Sequence, residues 1–219
     1  MSTRKKNFLK IVILGDSGVG KTTLLQQYLN GKVQGQSKPT IGADFSKKEI
    51  LIDNTVVTLQ VWDTAGQEKF QSLGYAFYRG ADCCALCYDL TNLDSFHSLD
   101  KWKQGFIENA GPSDPNNFPF VCLGNKLDKA DHRQVPTSKG QAWAKENNDM
   151  MFYETSALTG DKVEEAFLMM AKAALKRESD KTIVMPPTMG DANNSAAIKL
   201  NTKEHKKRGE TKSETNCGC

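Results

Sequence analysis

Residues 15–23 read GDSGVGKTT, directly after the apolar run IVIL at 11–14. Gly15, Gly20, Lys21 and Thr22 satisfy G-x-x-x-x-G-K-[ST], with a strand pattern before them and a helical pattern over 21–30 after them. Glycines let successive backbone N–H groups converge on an anion, and the helix N-terminus adds positive potential. The one long cation, Lys21, is then placed to reach β- and γ-phosphates, and the Thr22 hydroxyl to ligate Mg²⁺. A plain glycine-rich turn needs neither the strand before nor the helix after. The motif by itself does not separate a kinase from a nucleotide hydrolase.

Working outward, strand-like runs recur at 8–14, 45–53, 56–62, 83–88, 119–124 and 151–155, with helical patterns between most of them. Val163, Ala166, Phe167, Met170, Ala171, Ala174 and Leu175 repeat at helical spacing and form one apolar stripe. Asp53-Asn54 supplies a turn between two adjacent strands. The alternation predicts an α/β fold: a three-layer P-loop sandwich with a mostly parallel six-stranded sheet and helices on both faces. Ligands in such folds sit at the C-terminal ends of the strands. After residue 178 large apolar residues become rare and aromatics stop. Residues 1–178 are therefore expected to form the domain, and 179–219 a disordered tail that buries too little surface to offset its ordering entropy.

The chain has 219 residues and a net charge of +3, so it is no general polyanion binder. Four of its six cysteines, Cys83, Cys84, Cys87 and Cys122, lie in apolar runs, where a free thiol acts as a small hydrophobe. Cys84 alternates away from Cys83 and Cys87 along a strand, which argues against zinc. MSTRKKNFLKIVILG begins like a signal peptide, but Lys10 breaks its apolar stretch. His97, His132 and His205 form no readable catalytic set, and HKKR at 205–208 reads as solvated or lipid-facing, with no nucleic acid expected.

Three further strand ends carry chemistry. WDTAG at 62–66 places Asp63 where a carboxylate holds Mg²⁺ through water. NKLD at 125–128 ends the apolar run FVCLG, and an aspartate there accepts two hydrogen bonds from guanine's N1–H and exocyclic amine, a donor pair that adenine lacks. ETSAL at 154–158 follows a short strand, and its backbone can donate to the guanine O6. Each tetrad alone is weak, because Asn125 or Asp128 in isolation is more often a turn residue. All four motifs in this order are specific, and a small-molecule kinase has no use for the last two.

Over about residues 7–178 the sequence resembles the Ras-superfamily small GTPases. The resemblance implies a GTP/GDP switch with Mg²⁺ as cofactor, in which Lys21 and Gln67 act in catalysis and Gln67 orients the attacking water. It implies that Ser17, Gly18, Val19, Gly20, Lys21, Thr22 and Thr23 cradle the phosphates, and that the Gly66 N–H touches the γ-phosphate. Thr40 completes a Mg²⁺ shell with Thr22 and Asp63. Asn125, Lys126 and Asp128 would hold the base together with Ser156, Ala157 and Leu158. A scaffold that holds GTP without hydrolysing it is the different-class alternative, and Gln67 argues against it.

TIGADF at 40–45, LQVWDTAGQEKF at 59–70 and FYRGAD at 77–82 resemble the Rab branch. The resemblance implies an effector surface of Ile41, Gly42, Phe45, Trp62 and Phe77. Trp62 supports this independently, because it shares the polar even-numbered face with Thr58 and Gln60, opposite Val57, Leu59 and Val61. A half-buried packing role is the bland alternative. IGADFSKKE, EKFQSLGYAFYRGADCC and AGPSDPNNFPFVCLGNK are similar to the late-endosomal and vacuolar Rab branch, with another endosomal or secretory Rab as the alternative. Residues 32–39, KVQGQSKP, depart from that branch: Val33 and Ser37 stand where aromatics are expected. The departure touches ribose contacts, exchange rate and effector choice.

The tail ends Cys217-Gly218-Cys219, which resembles a double geranylgeranyl signal and not the C-a-a-X of Ras- or Rho-like chains. Two prenyl chains anchor where one is marginal. The resemblance implies a monomer that cycles between cytosol and the late endosome, lysosome, vacuole or phagosome membrane. Its expected partners are an exchange factor, a GTPase-activating protein, a GDP-dissociation inhibitor or escort protein, and GTP-dependent effectors. No arginine sits at an obvious cis position, and Arg79 reads as structural.

Overall fold

The computed structural model describes residues 8–33, 39, 40, 42–66 and 71–183. Gln67, Ile41, Cys217 and Cys219 lie outside them, as do 34–38 of the divergent stretch and 184–219 of the expected tail. Strands β1 (Phe8–Leu14), β2 (Ala43–Ile52), β3 (Thr55–Thr64), β4 (Cys83–Asp89), β5 (Phe120–Asn125) and β6 (Met151–Glu154) form one sheet in the order β2-β3-β1-β4-β5-β6. Only the β2–β3 pair is antiparallel. Its connection is the expected Asp53-Asn54 turn, with both residues at positive φ (46° and 60°), the geometry that matches the twist of paired strands. Helices are α1 (Lys21–Asn30), α2 (Gln71–Tyr78), α3 (Leu93–His97), α4 (Leu99–Ala110), α5 (Thr137–Glu146) and α6 (Val163–Ile183).

The two-residue alternation of the strands sorts the interior into two clusters. Leu9, Ile11 and Ile13 with Val57, Leu59 and Val61 face α1 and α6. Val12 and Leu14 with Leu86 and Tyr88 face Tyr78 of α2, Phe96 of α3, and Leu99, Trp102 and Phe106 of α4. β4 and β5 are buried along their whole length, as inner strands covered on both faces must be. The stripe predicted over 163–175 packs on the sheet, and Phe167 stacks on Tyr28 of α1 at 3.9 Å between ring centroids. That helix continues to Ile183, so residues 179–183, expected to be tail, are helical in the structure. Once nucleated on a buried stripe, a helix propagates through polar residues such as Glu178 and Asp180 at little cost.

The cysteines divide as their alternation requires: Cys83 and Cys87 face one cluster, Cys84 and Cys122 the other. All four are free and buried, and burial pushes their thiols up, Cys87 to about 12. They pack as hydrophobes. Among the described residues no group of three or more His, Cys, Asp or Glu side chains gathers as a metal site.

Phe167→Ala should cost about 3–5 kcal/mol in a thermal or denaturant melt, the usual loss for deleting a buried ring. Leu51→Ala, at a position 66% exposed, should stay within about 0.5 kcal/mol. Equal effects of the two substitutions would contradict this assignment of the core.

Candidate functional site

The loops after β1, β3, β4, β5 and β6 meet at one edge of the sheet. The phosphate-type loop crosses from Leu14 to α1 and folds close to its neighbours. A side chain at Gly20 (φ 98°) would strike the Asn125 amide, and one at Gly66 would strike the Asp16–Ser17 peptide. These glycines are required by close approach as well as by turn geometry. Ser17, Gly18, Gly20 and residues 21–23 line a cleft of about 230 Å³, faced by Pro39, Thr40 and Gly66. Val19 turns its side chain into the core and is 2% exposed. Lys21, the first residue of α1, is also buried, and its Nζ donates to the Gly15 and Asp16 carbonyls at 2.8 and 2.9 Å. Burial pushes its pKa down, opposed by Cys87 and by the Asp63 and Asp16 carboxylates.

Three oxygen-bearing side chains converge beside it. Thr22 Oγ1 donates to Asp63 Oδ2 at 2.5 Å and lies 2.8 Å from Thr40 Oγ1, which is itself 3.3 Å from Asp63 Oδ2. Asp63 is 2% exposed, and its Oδ1 is buried without a hydrogen-bond partner among the described residues. Burial pushes its pKa up, against the pull of Thr22, Lys21 and Thr40. A desolvated carboxylate with an orphaned oxygen, next to two hydroxyls, is a hard-oxygen donor set that fits Mg²⁺.

The base-side residues take roles that the sequence did not reveal. Asn125 is 1% exposed: its Nδ2 donates to the Val19 carbonyl at 2.8 Å, and its Oδ1 accepts from the Ala157 N–H at 3.1 Å and Thr155 Oγ1 at 3.4 Å. It ties three loops together, a structural role beside the base contact that the resemblance implies. Lys126, at φ 70°, commits its ammonium to Asp89 Oδ2 at 2.7 Å. Asp128 is exposed, and its Oδ1 accepts from Ser156 Oγ at 2.6 Å, so the carboxylate is oriented in advance. The Ala157 N–H is already donated to Asn125, and Leu158 is 64% exposed.

Three of the aromatics singled out in the sequence lie side by side. Trp62 stacks on Phe45 at 5.1 Å and on Phe77 at 5.0 Å, while its inner edge packs on the second cluster. It is therefore both a half-buried packing residue and part of a solvent-facing triad, with Phe45 46% exposed. The Gly42 carbonyl accepts from the Ala65 N–H at 2.8 Å, joining the segment before β2 to the end of β3.

Sequence reasoning missed three supports. Asp89, an acid at a strand end like its neighbours, carries a positional signal that would have flagged it. The Trp102 indole donates to Asp16 Oδ1 at 2.7 Å. Arg133 forks onto Glu154 at 2.6 and 2.9 Å, bracing the segment after NKLD against the strand that leads into TSAL. Burial would raise the Glu154 pKa, but the Arg133 fork and Thr137 hold it below the ordinary carboxylate value. That stabilisation is complete above about pH 4.5, the ordinary value, and is lost as pH falls through the depressed one. Glu154→Gln should therefore lower the melting midpoint by several degrees at pH 7, at about 2–4 °C per kcal/mol for a chain of this size. Melts of the two proteins should converge as the pH drops below about 4.5; a gap that persists undiminished at low pH would contradict the ion-pair origin.

A model of the Ras family matches residues 10–176. Ras-related protein Rab-7b of Paramecium octaurelia is 55% identical over 189 residues, 86% of this chain and 92% of that protein. Ras-related protein Rab7 of Drosophila melanogaster is 54% identical over 198 residues, 89% and 95% of the two chains. Ras-related protein RABG3b of Arabidopsis thaliana is 53% identical over 192 residues, 87% and 95%. The kinase and non-hydrolysing readings fall away with these matches. Motif order, sheet topology and similarity along nearly all of the folded chain agree that this protein belongs to the Ras family, as a GTP-hydrolysing small GTPase of its Rab branch, alongside the Rab7 proteins.

Proposed function

We propose that this GTPase recruits effectors to late endosomal, lysosomal, vacuolar or phagosomal membranes in its GTP form. The observation that carries the site assignment is the convergence of Thr22 and Thr40 on Asp63, whose second carboxylate oxygen is buried and has no hydrogen-bond partner among the described residues. Thr22 and Thr40 would hold Mg²⁺ directly and Asp63 through water. When bound, the ion neutralises charge on the transferring phosphoryl group.

The chain's own residues do the rest. Backbone N–H groups of residues 17–23 bind the phosphates, with Lys21 lying under them as a buried cation. Asp128 accepts from the guanine edge, Lys126 lays its stem against the base, and Ser156, Ala157 and Leu158 close the far side. Asn125 holds those loops in register. Gln67 orients the attacking water. Among the described arginines, Arg133 is forked onto Glu154 and Arg177 lies over the Phe118 ring. The Arg79 carbonyl takes the Lys10 ammonium near the start of β1, away from the cleft. With none of the described arginines at the phosphates, an activating protein would supply one, which accelerates hydrolysis about 10³–10⁵-fold.

The switch follows from where the aromatic triad is rooted. Trp62 is fixed on β3, Phe45 follows the Thr40 segment, and Phe77 ends the helix that follows Gly66. Contacts of Thr40 and Gly66 with a γ-phosphate set the positions of the two outer rings against the fixed one. An effector that prefers one arrangement shifts the equilibrium by its differential affinity and no more. Cys217 and Cys219 would carry two prenyl groups, with an escort shielding them in the cytosol, and exchange factors would reload the monomer with GTP. The relatives' name, Rab7, and the late-endosomal sequence pattern support the compartment.

Chelation of Mg²⁺ should speed GDP release from the wild-type protein by about tenfold or more, a difference of about 1.4 kcal/mol or more. Asp63→Ala should release GDP quickly whether or not Mg²⁺ is present; a release rate that still responds fully to chelation would remove Asp63 from the site. Gln67→Leu should hydrolyse GTP more slowly than wild type, and its tagged form should ring acidic compartments in cells. An unchanged hydrolysis rate would sink the role of Gln67. Signal on early, recycling or secretory membranes would sink the compartment and leave the chemistry standing.

A further inference from the structure

Asp16 is the second residue of a loop that gathers N–H groups around an anion, and it brings a negative charge into that loop. Its carboxylate is not left to face the cleft. Oδ1 accepts the indole N–H of Trp102 at 2.7 Å, from a helix 86 residues further along the chain. Trp102 is 4% exposed and packs with Leu99 and Phe106, so the donor is held by the core and cannot swing away. An indole N–H donates and never accepts, so it suits a carboxylate. The same residue is gripped at its other end, where the Asp16 carbonyl takes the Lys21 ammonium at 2.9 Å. Gly66 lies against the Asp16–Ser17 peptide so closely that a side chain on it would collide. Asp16 therefore stands between the loop's cation, the residue assigned to the γ-phosphate, and helix α4.

We propose that Trp102 is a positioning residue of the phosphate site: its indole N–H holds the Asp16 carboxylate against α4, away from the terminal phosphate. The inference rests on the reading of residues 15–23 as the phosphate loop. If Trp102 lost its N–H, the carboxylate would be free to turn toward the cleft. The harm would fall more on GTP than on GDP, because GTP adds negative charge where the loop, Lys21 and Gly66 meet.

The test uses the full chain, purified with GDP and exchanged to a fluorescent GDP or a non-hydrolysable GTP analogue. Trp102→Phe keeps most of the buried ring and removes the donor. Asp16→Asn keeps an acceptor for the indole and removes the charge. Trp102→Phe should weaken the GTP analogue about tenfold more than GDP, the low end for a hydrogen bond to a charged group. The double variant Trp102→Phe/Asp16→Asn should return to within about twofold of Asp16→Asn alone, since no charge remains to be freed. A loss equal for both nucleotides that persists in the double variant would mean that Trp102 only fills space, and would overturn the proposal. A wild-type chain that holds neither nucleotide would overturn the phosphate-loop reading and this inference with it. If Trp102→Phe does not fold, the indole N–H signal of Trp102 in labelled, GDP-bound protein decides. Asp16→Ala should make that proton exchange with solvent at least about tenfold faster, and an unchanged rate would refute the bond.

Discussion

The buried amide of Asn125 is the contact on which the site depends. Its three hydrogen-bond partners come from two distant parts of the chain: the Val19 carbonyl from the phosphate loop, and Thr155 and the Ala157 N–H from the loop after β6, while Gly20, having no side chain, leaves the amide room. Each partner is a polar group removed from water. Losing the amide would orphan each at about 1–3 kcal/mol, so the loops are not free to drift apart singly. A phosphate cradle and a base pocket built on separate loops need such a tie, because a shift of about 1 Å between them is enough to spoil a shared ligand.

The same edge of the sheet is electrostatically incomplete on its own. Lys21 and Asp63 are both desolvated, and burial pulls each toward its neutral form, the lysine downward and the aspartate upward. The Asp63 oxygen with no partner shows where the imbalance lies. Ligands that supply a polyanion and a divalent cation together relieve both groups at once. Binding to the folded state alone then stabilises the fold in proportion to the logarithm of ligand concentration, so occupancy and folding are linked in this protein.

What was legible in the sequence follows from the range of the interactions involved. Strands and helices showed in their local periodicity, and the motifs stood at strand ends because the fold places ligands there. Asp63 with Thr22 and the Phe45–Trp62–Phe77 stack were anticipated by resemblance, and the geometry brings each set together. The supports were not legible. Trp102 with Asp16, and Arg133 with Glu154, are pairs formed by tertiary packing, and nothing in the residues around either partner announces the other. Nor was the loop-tying role of Asn125 legible, because its position in a motif says that it matters without naming its protein partners. The extension of α6 to Ile183 was missed for a simpler reason: composition changes before the helix ends, and a helix held on a buried stripe can outrun its own apolar residues.

Burial is distributed unevenly across the sheet. β4 and β5 are buried throughout and end in Asp89 and Asn125, so two of the strands that lead into the proposed base side are the most protected ones, while the third, β6, is a half-buried edge. β2 is an edge strand with alternate residues open to solvent, and it follows the Thr40 segment; α2 is short and follows Gly66. β2 leaves one face open to solvent, while α2 is held to the second cluster by Tyr78. Trp62 sits at the border, its inner edge packed on the second cluster and its ring stacked between Phe45 of β2 and Phe77 of α2. In the proposed switch, the Thr40 side and the Gly66 side would each move one outer ring against the ring of β3, and a partner that reads all three aromatics would then respond only to both changes together.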